Sequence, residues 1–150
     1  MKRLNRRWWI AIGFAVLAVV ALVYTQLQKP PAECGPVIEL LEFNTAQGDL
    51  IREKSENAED LPTAADELAY REWADGLAER ARKIDDPGLR FTAIDAADLA
   101  GAFVRKLPQL RADAAAQAPG GPAPQIVYEM SALDDQLQRR LGELANACAG

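Results

Sequence analysis

Apolar and polar positions divide this chain into one unbroken apolar run and four segments with helical periodicity. The run covers residues 8–27, WWIAIGFAVLAVVALVYTQL, and contains no charged side chain. About 20 residues rising about 1.5 Å each extend roughly 30 Å as a helix, the thickness of a bilayer core. Trp8 and Trp9 at one end and Tyr24 near the other stand where interfacial aromatics anchor a span. The pattern predicts a single N-terminal transmembrane helix. Lys2, Arg3, Arg6 and Arg7 precede it, and no acid lies before Glu33. Basic flanks stay on the cytoplasmic side, so residues 1–7 read as a cytoplasmic tail and the rest of the chain as extracytoplasmic. A cleaved signal peptide would need small residues at −3 and −1 behind the apolar stretch. Val23 and Thr25 are the nearest approach and fit poorly, so the run is expected to remain as an anchor in the inner (plasma) membrane. Ala11, Ala15 and Ala18 form a small-residue stripe along it, a candidate face for close packing against another membrane helix.

Residues 28–36, QKPPAECGP, make a stiff, proline-rich linker. Behind it the period changes to that of amphipathic helices. In residues 37–57, Val37, Leu40, Leu41, Phe43, Leu50 and Ile51 recur at helical spacing, with Asn44 and Gly48 interrupting them. Residues 63–84 open with Thr63 as N-cap and Asp66 and Glu67 in the first turn. Their apolar face is Ala69, Trp73, Leu77, Ala81 and Ile84. Glu67–Arg71 and Glu79–Lys83 read as i,i+4 pairs on the solvent side. A third helix is expected to start with Asp86 as cap and Pro87 at the first helical position. It carries two apolar stripes, Ile94–Ala97–Gly101–Val104 and Leu99–Phe103–Leu107–Leu110, and Pro108 is expected to kink or end it. The last segment, residues 125–147, has the most regular stripe. Ile126, Met130, Leu133, Leu137, Leu141, Leu144 and Cys148 fall at spacings of 4, 3, 4, 4, 3 and 4. No strand pattern is present. The expected fold is therefore all-α: an anchor followed by an extracytoplasmic up-and-down four-helix bundle over residues 37–150.

The two cysteines test that topology. Lipid attachment at Cys34 would need a small residue at −1 directly behind the apolar region; Glu33 stands there instead. In an up-and-down bundle an even number of helices returns the C-terminus to the end where the first helix began. Cys34 precedes the first helix and Cys148 ends the fourth, so four helices and a Cys34–Cys148 disulfide support each other. Outside the cytoplasm such a bond persists.

Composition then narrows function. The chain of 150 residues has no histidine, which removes the commonest general base and metal ligand. From residue 29 onward 13 basic residues face 22 acidic ones, a net charge of −9; nucleic acid, which needs clustered Lys and Arg, is a poor partner. No phosphate loop, dinucleotide fingerprint or nucleophile elbow occurs. Ser131 has no histidine to activate it, the paired acids Asp85–Asp86 and Asp134–Asp135 read as capping or solvated groups, and Gly120–Gly121 reads as a turn. Arg80, Arg82 and Lys83 would form a basic patch with Arg139 and Arg140 only if their helix faces adjoin. Tyr70, Trp73 and Tyr128 are candidates for a partner contact, since aromatics are favoured at interfaces as well as in cores. These residues predict no catalytic centre, metal or cofactor. They fit a non-catalytic accessory subunit or assembly factor of a larger bacterial envelope or membrane complex, or else a module holding a lipid or small apolar ligand between its helices.

Overall fold

The computed structural model describes residues 31–56, 62–118 and 120–149. A 3-10 turn, Ala32–Cys34, leads into four helices: α1 (Gly35–Glu56), α2 (Ala64–Ala81), α3 (Pro87–Ala116) and α4 (Gln125–Cys148). The described residues contain no strand, and none of their helices is long and apolar enough to cross a membrane. The run 8–27, with Trp8, Trp9, Tyr24 and the stripe Ala11, Ala15 and Ala18, lies outside the described residues.

Local chemistry sets the helix starts. The Thr63 hydroxyl accepts from the Asp66 amide at 3.3 Å, and the Asp66 carboxylate accepts from the Thr63 amide at 2.7 Å. This reciprocal cap satisfies two amides that the first turn of α2 leaves without intrahelical partners. It also draws the Asp66 carboxyl below its ordinary range, chiefly through that backbone hydrogen bond. Asp86 caps α3 by accepting from the Leu89 amide at 2.8 Å, with Pro87 at the first helical position.

Cross-helix contacts fix the directions. Between α1 and α2, Asn44 meets Trp73 while the earlier Glu39 meets the later Arg80. Between α2 and α3, Tyr70 packs on Phe103 while the earlier Glu67 pairs with the later Arg111. Between α3 and α4, Lys106 binds Glu129 at 2.7 Å and the earlier Asp95 binds the later Arg140 at 2.5 Å. Rising numbers on one helix match falling numbers on its neighbour at each interface. Each helix packs on the next, and α1 closes the ring on α4. The result is an up-and-down four-helix bundle. A disulfide joins Cys34 to Cys148, with Cα atoms 5.6 Å apart, at the end where α1 starts and α4 finishes.

The core follows the expected stripe on α4, where Ile126, Met130, Leu137, Leu141, Leu144 and Cys148 are buried and Leu133 is half-buried. On α2, Trp73, Leu77 and Ala81 are buried, and Ile84 remains fully buried in the turn beyond the helix. Several expectations change. The stretch read as linker ends earlier, because Ala32–Cys34 forms a 3-10 turn and α1 begins at Gly35; and Leu50, one of the first segment's apolar positions, is 50% exposed. On α3 the buried face is Ala93, Ala96, Ala97, Ala100, Val104 and Leu107, and Ile94 points outward at 40% exposure. Alanines permit close helix approach, so they take the face that packs between α2 and α4. Pro108 does not end α3, which runs on to Ala116. The lost hydrogen bond and ring clash cost about 3 kcal/mol. Buried Leu107, half-buried Leu110 and the Arg111 ion pair hold the last turns against that cost. Finally, Glu67 is not on the solvent side. It is 7% exposed, and its two carboxylate oxygens accept one each from Arg71 and Arg111.

One close approach joins α1 to α2. The Phe43 ring lies over Gly76, where an added Cβ would overlap the ring's Cζ, and the Arg80 guanidinium stacks 3.7 Å from the centre of the same ring. Gly76→Ala is expected to lower stability by about 1–2 kcal/mol, overpacking outweighing the gain in helix propensity. At Gly142 of α4 nothing lies within 4 Å of an added Cβ. Gly142→Ala should therefore stabilise by up to about 1 kcal/mol. Opposite shifts in thermal melting of the two variants would establish the contact; a stabilised Gly76→Ala would refute it.

Candidate functional site

The interruption in the apolar pattern of the first segment has a structural consequence. Between the buried residues Leu40 and Ile51, α1 presents Phe43, Asn44, Thr45, Gln47, Gly48 and Asp49, none of them fully buried. Large apolar side chains are missing where α1 passes α4. A cleft of about 550 Å³ opens there, bounded by Asn44, Gly48, Asp49 and Arg52 of α1 and Asp134 and Gln138 of α4. Its floor comes from the other two helices: Tyr70 and Trp73 of α2 and Phe103 of α3.

The floor is ordered. Tyr70 and Trp73 meet edge to face with centroids 6.3 Å apart, and Tyr70 and Phe103 lie 5.9 Å apart at 41°. Such pairs add about 0.5–1.5 kcal/mol beyond their area burial. The Trp73 indole N–H donates to Asn44 Oδ1 at 3.0 Å, which satisfies a buried donor and fixes the ring. Asn44 thus both interrupts the apolar stripe and holds the floor in place. Burial raises the Tyr70 phenol above its ordinary pKa, and the Asp66 and Asp134 carboxylates push it the same way. On the rim, Arg52 pairs with Asp49 at 2.5 Å, while Asp134 accepts from the Gln138 amide at 3.5 Å. The Thr45 hydroxyl donates to the Leu41 carbonyl at 3.0 Å. The lining therefore holds aromatic rings, amides and carboxylates, a set suited to binding.

The aromatic residues singled out in the sequence part company here. Tyr70 and Trp73 come together in the cleft, with Trp73 mostly buried; Tyr128 stands apart on the first turn of α4 at 66% exposure. Phe103, which completes the floor, read in the sequence as one member of an apolar stripe. The arginines are engaged separately: Arg80 on Phe43 of α1, Arg140 with Asp95 of α3 and Glu143. Asp86 caps a helix, and Gly120 takes a positive φ of 79° in the turn before α4. Among the described residues no group of three or more metal-ligating side chains converges.

A second feature is a pair of apolar side chains in solvent. Phe91 is 73% exposed and Ile94 40% exposed. They lie three residues apart on α3, on its outward side. The alternation of helix directions puts the start of α3 at the same end of the bundle as Cys34 and Cys148.

The fold and cleft define a four-helix bundle closed by a disulfide, with a small-ligand-sized cleft on one side. Comparison with protein-family models, with curated proteins and with solved structures finds no match for this chain.

Proposed function

We propose that this is a non-catalytic single-pass membrane protein that serves as an accessory subunit or assembly factor of a larger bacterial envelope or membrane complex. Residues 8–27 form the anchor, residues 1–7 stay in the cytoplasm, and the bundle contacts its partner on the outer side of the inner (plasma) membrane. The uncharged run behind four basic residues supports the orientation. The disulfide supports an oxidising compartment. The observation that carries the partner reading is the exposed Phe91–Ile94 pair at the Cys34 end of the bundle. Large apolar side chains left in water, with polar neighbours, suit a protein contact.

The test is gentle detergent extraction of the native-level tagged protein, followed by a native gel and mass spectrometry of co-migrating chains. The wild type is expected to carry a stoichiometric membrane protein. Phe91→Glu, an exposed change expected to alter stability by no more than about 0.5 kcal/mol, should release it. A clean wild-type monomer would refute the accessory role. Retention of the partner by Phe91→Glu would move the contact elsewhere on the bundle.

One observation favours a second reading, a module that binds a lipid or small molecule. The cleft of about 550 Å³ has an aromatic floor and lies within the size range of small-ligand pockets, about 300–1,000 Å³.

A further inference from the structure

We propose that the cleft between α1 and α4 binds an organic ammonium cation, held by the aromatic floor and the Asp134 carboxylate. The inference rests on the second reading above and names the ligand chemistry.

Ring faces carry negative charge density, and a cation within about 6 Å of a ring centre is attracted, most strongly for Trp and most strongly when water is excluded. Tyr70, Trp73 and Phe103 bring three such rings to one floor, with planes inclined at 80° and 41° to each other across the two contacts. Rings set at different angles bound a concave surface, which fits a rounded alkylammonium group better than a flat ligand. The Trp73 N–H is already committed to Asn44, so the indole does not offer a donor to an anion.

Charge points the same way. The charged side chains lining the cleft are Asp49, Arg52 and Asp134. Asp49 and Arg52 pair with each other, which leaves the Asp134 carboxylate as the one lining charge without an ion-pair partner among the described residues. The upward pull of Asp66 and Asp134 on the Tyr70 phenol marks the same negative field. A purely apolar ligand would desolvate Asp134 with no compensating charge, and an anion would be repelled by it. An ammonium group answers both the rings and the carboxylate.

The probe is choline, titrated calorimetrically into the full chain in maltoside micelles, beside its neutral isostere 3,3-dimethyl-1-butanol. Choline is expected to bind saturably, with the isostere about tenfold weaker, the ratio that 1.4 kcal/mol of cation-specific attraction provides. Asp134→Asn, an exposed change, should weaken choline several-fold and leave the isostere unaffected. Phe103→Leu removes the ring but keeps an apolar side chain against Tyr70; it should weaken choline more than the isostere while the chain stays folded, with melting lowered by several degrees for the lost ring pair. Glycerophosphocholine separates the two sources of the cation: tighter binding than choline points to a lipid headgroup, weaker binding to a free amine, and either agrees with an ammonium site. Equal affinity for choline and the isostere would overturn the cation assignment and leave a ligand-binding cleft. No saturable heat from either would overturn both.

Discussion

Leu137→Asp is expected to unfold the bundle. Leu137 is 2% exposed, in the middle of the buried stripe of α4 between Met130 and Leu141. Truncating a buried leucine costs about 2–5 kcal/mol. A carboxylate placed there adds several kcal/mol, or must take up a proton to stay. A domain of this size holds about 5–15 kcal/mol in total, so the change consumes most or all of it. Far-ultraviolet circular dichroism and limited proteolysis should show loss of helix and of protection together. Gln136→Asp, one position away and exposed, provides the control and should melt close to the wild type. A folded Leu137→Asp variant would mean that the stripe does not face the core.

Removing the Cys34–Cys148 bond is the second large change. The two cysteines are 114 positions apart, and closing a loop of that order removes about 4–5 kcal/mol of unfolded-chain entropy in the simplest account, with measured effects of about 2–5 kcal/mol. Both side chains are buried, so the double Cys→Ala variant avoids introducing unpartnered hydroxyls. Its effect should not be uniform. α1 meets α4 less extensively than any other neighbouring helices meet, because the cleft occupies much of their interface. With the disulfide gone, α1 loses its firmest tie to α4. Amide exchange is therefore expected to accelerate first in α1, while α3 and α4 stay protected, and thermal melting should drop by several degrees per kcal/mol lost. Peptide mapping without reductant should show the bond in the wild type. Unchanged melting and exchange after its removal would refute the closure argument.

Some of this architecture was readable from residue order. The caps at Thr63 and Asp86 and the stripe of α4 are short-range signals, and they set helix boundaries because capping and periodicity act within a turn or two. The pairing of Cys34 with Cys148 followed from counting helices, since reversal at each link is a topological property of short connections. The interruption at Asn44 and Gly48 was also visible.

Other features depended on which faces meet. α3 is alanine-rich and apolar on two sides, so its period alone favoured Ile94 as a core residue; packing between two helices chose the alanines. Glu67 looked like half of an exposed pair with Arg71, four residues away. Its other partner, Arg111, lies 44 positions along the chain, beyond any local pattern.

The amino-acid order by itself determined the helical class, the starts of α2 and α3 and the cysteine pairing, because each arises from local hydrogen bonding, periodicity or chain reversal. Only the tertiary structure decided the cleft. A gap on α1 becomes a site when Tyr70, Trp73, Phe103 and Asp134 from three other helices surround it, and burial, ring stacking and charge at that point depend on distances that sequence spacing does not contain.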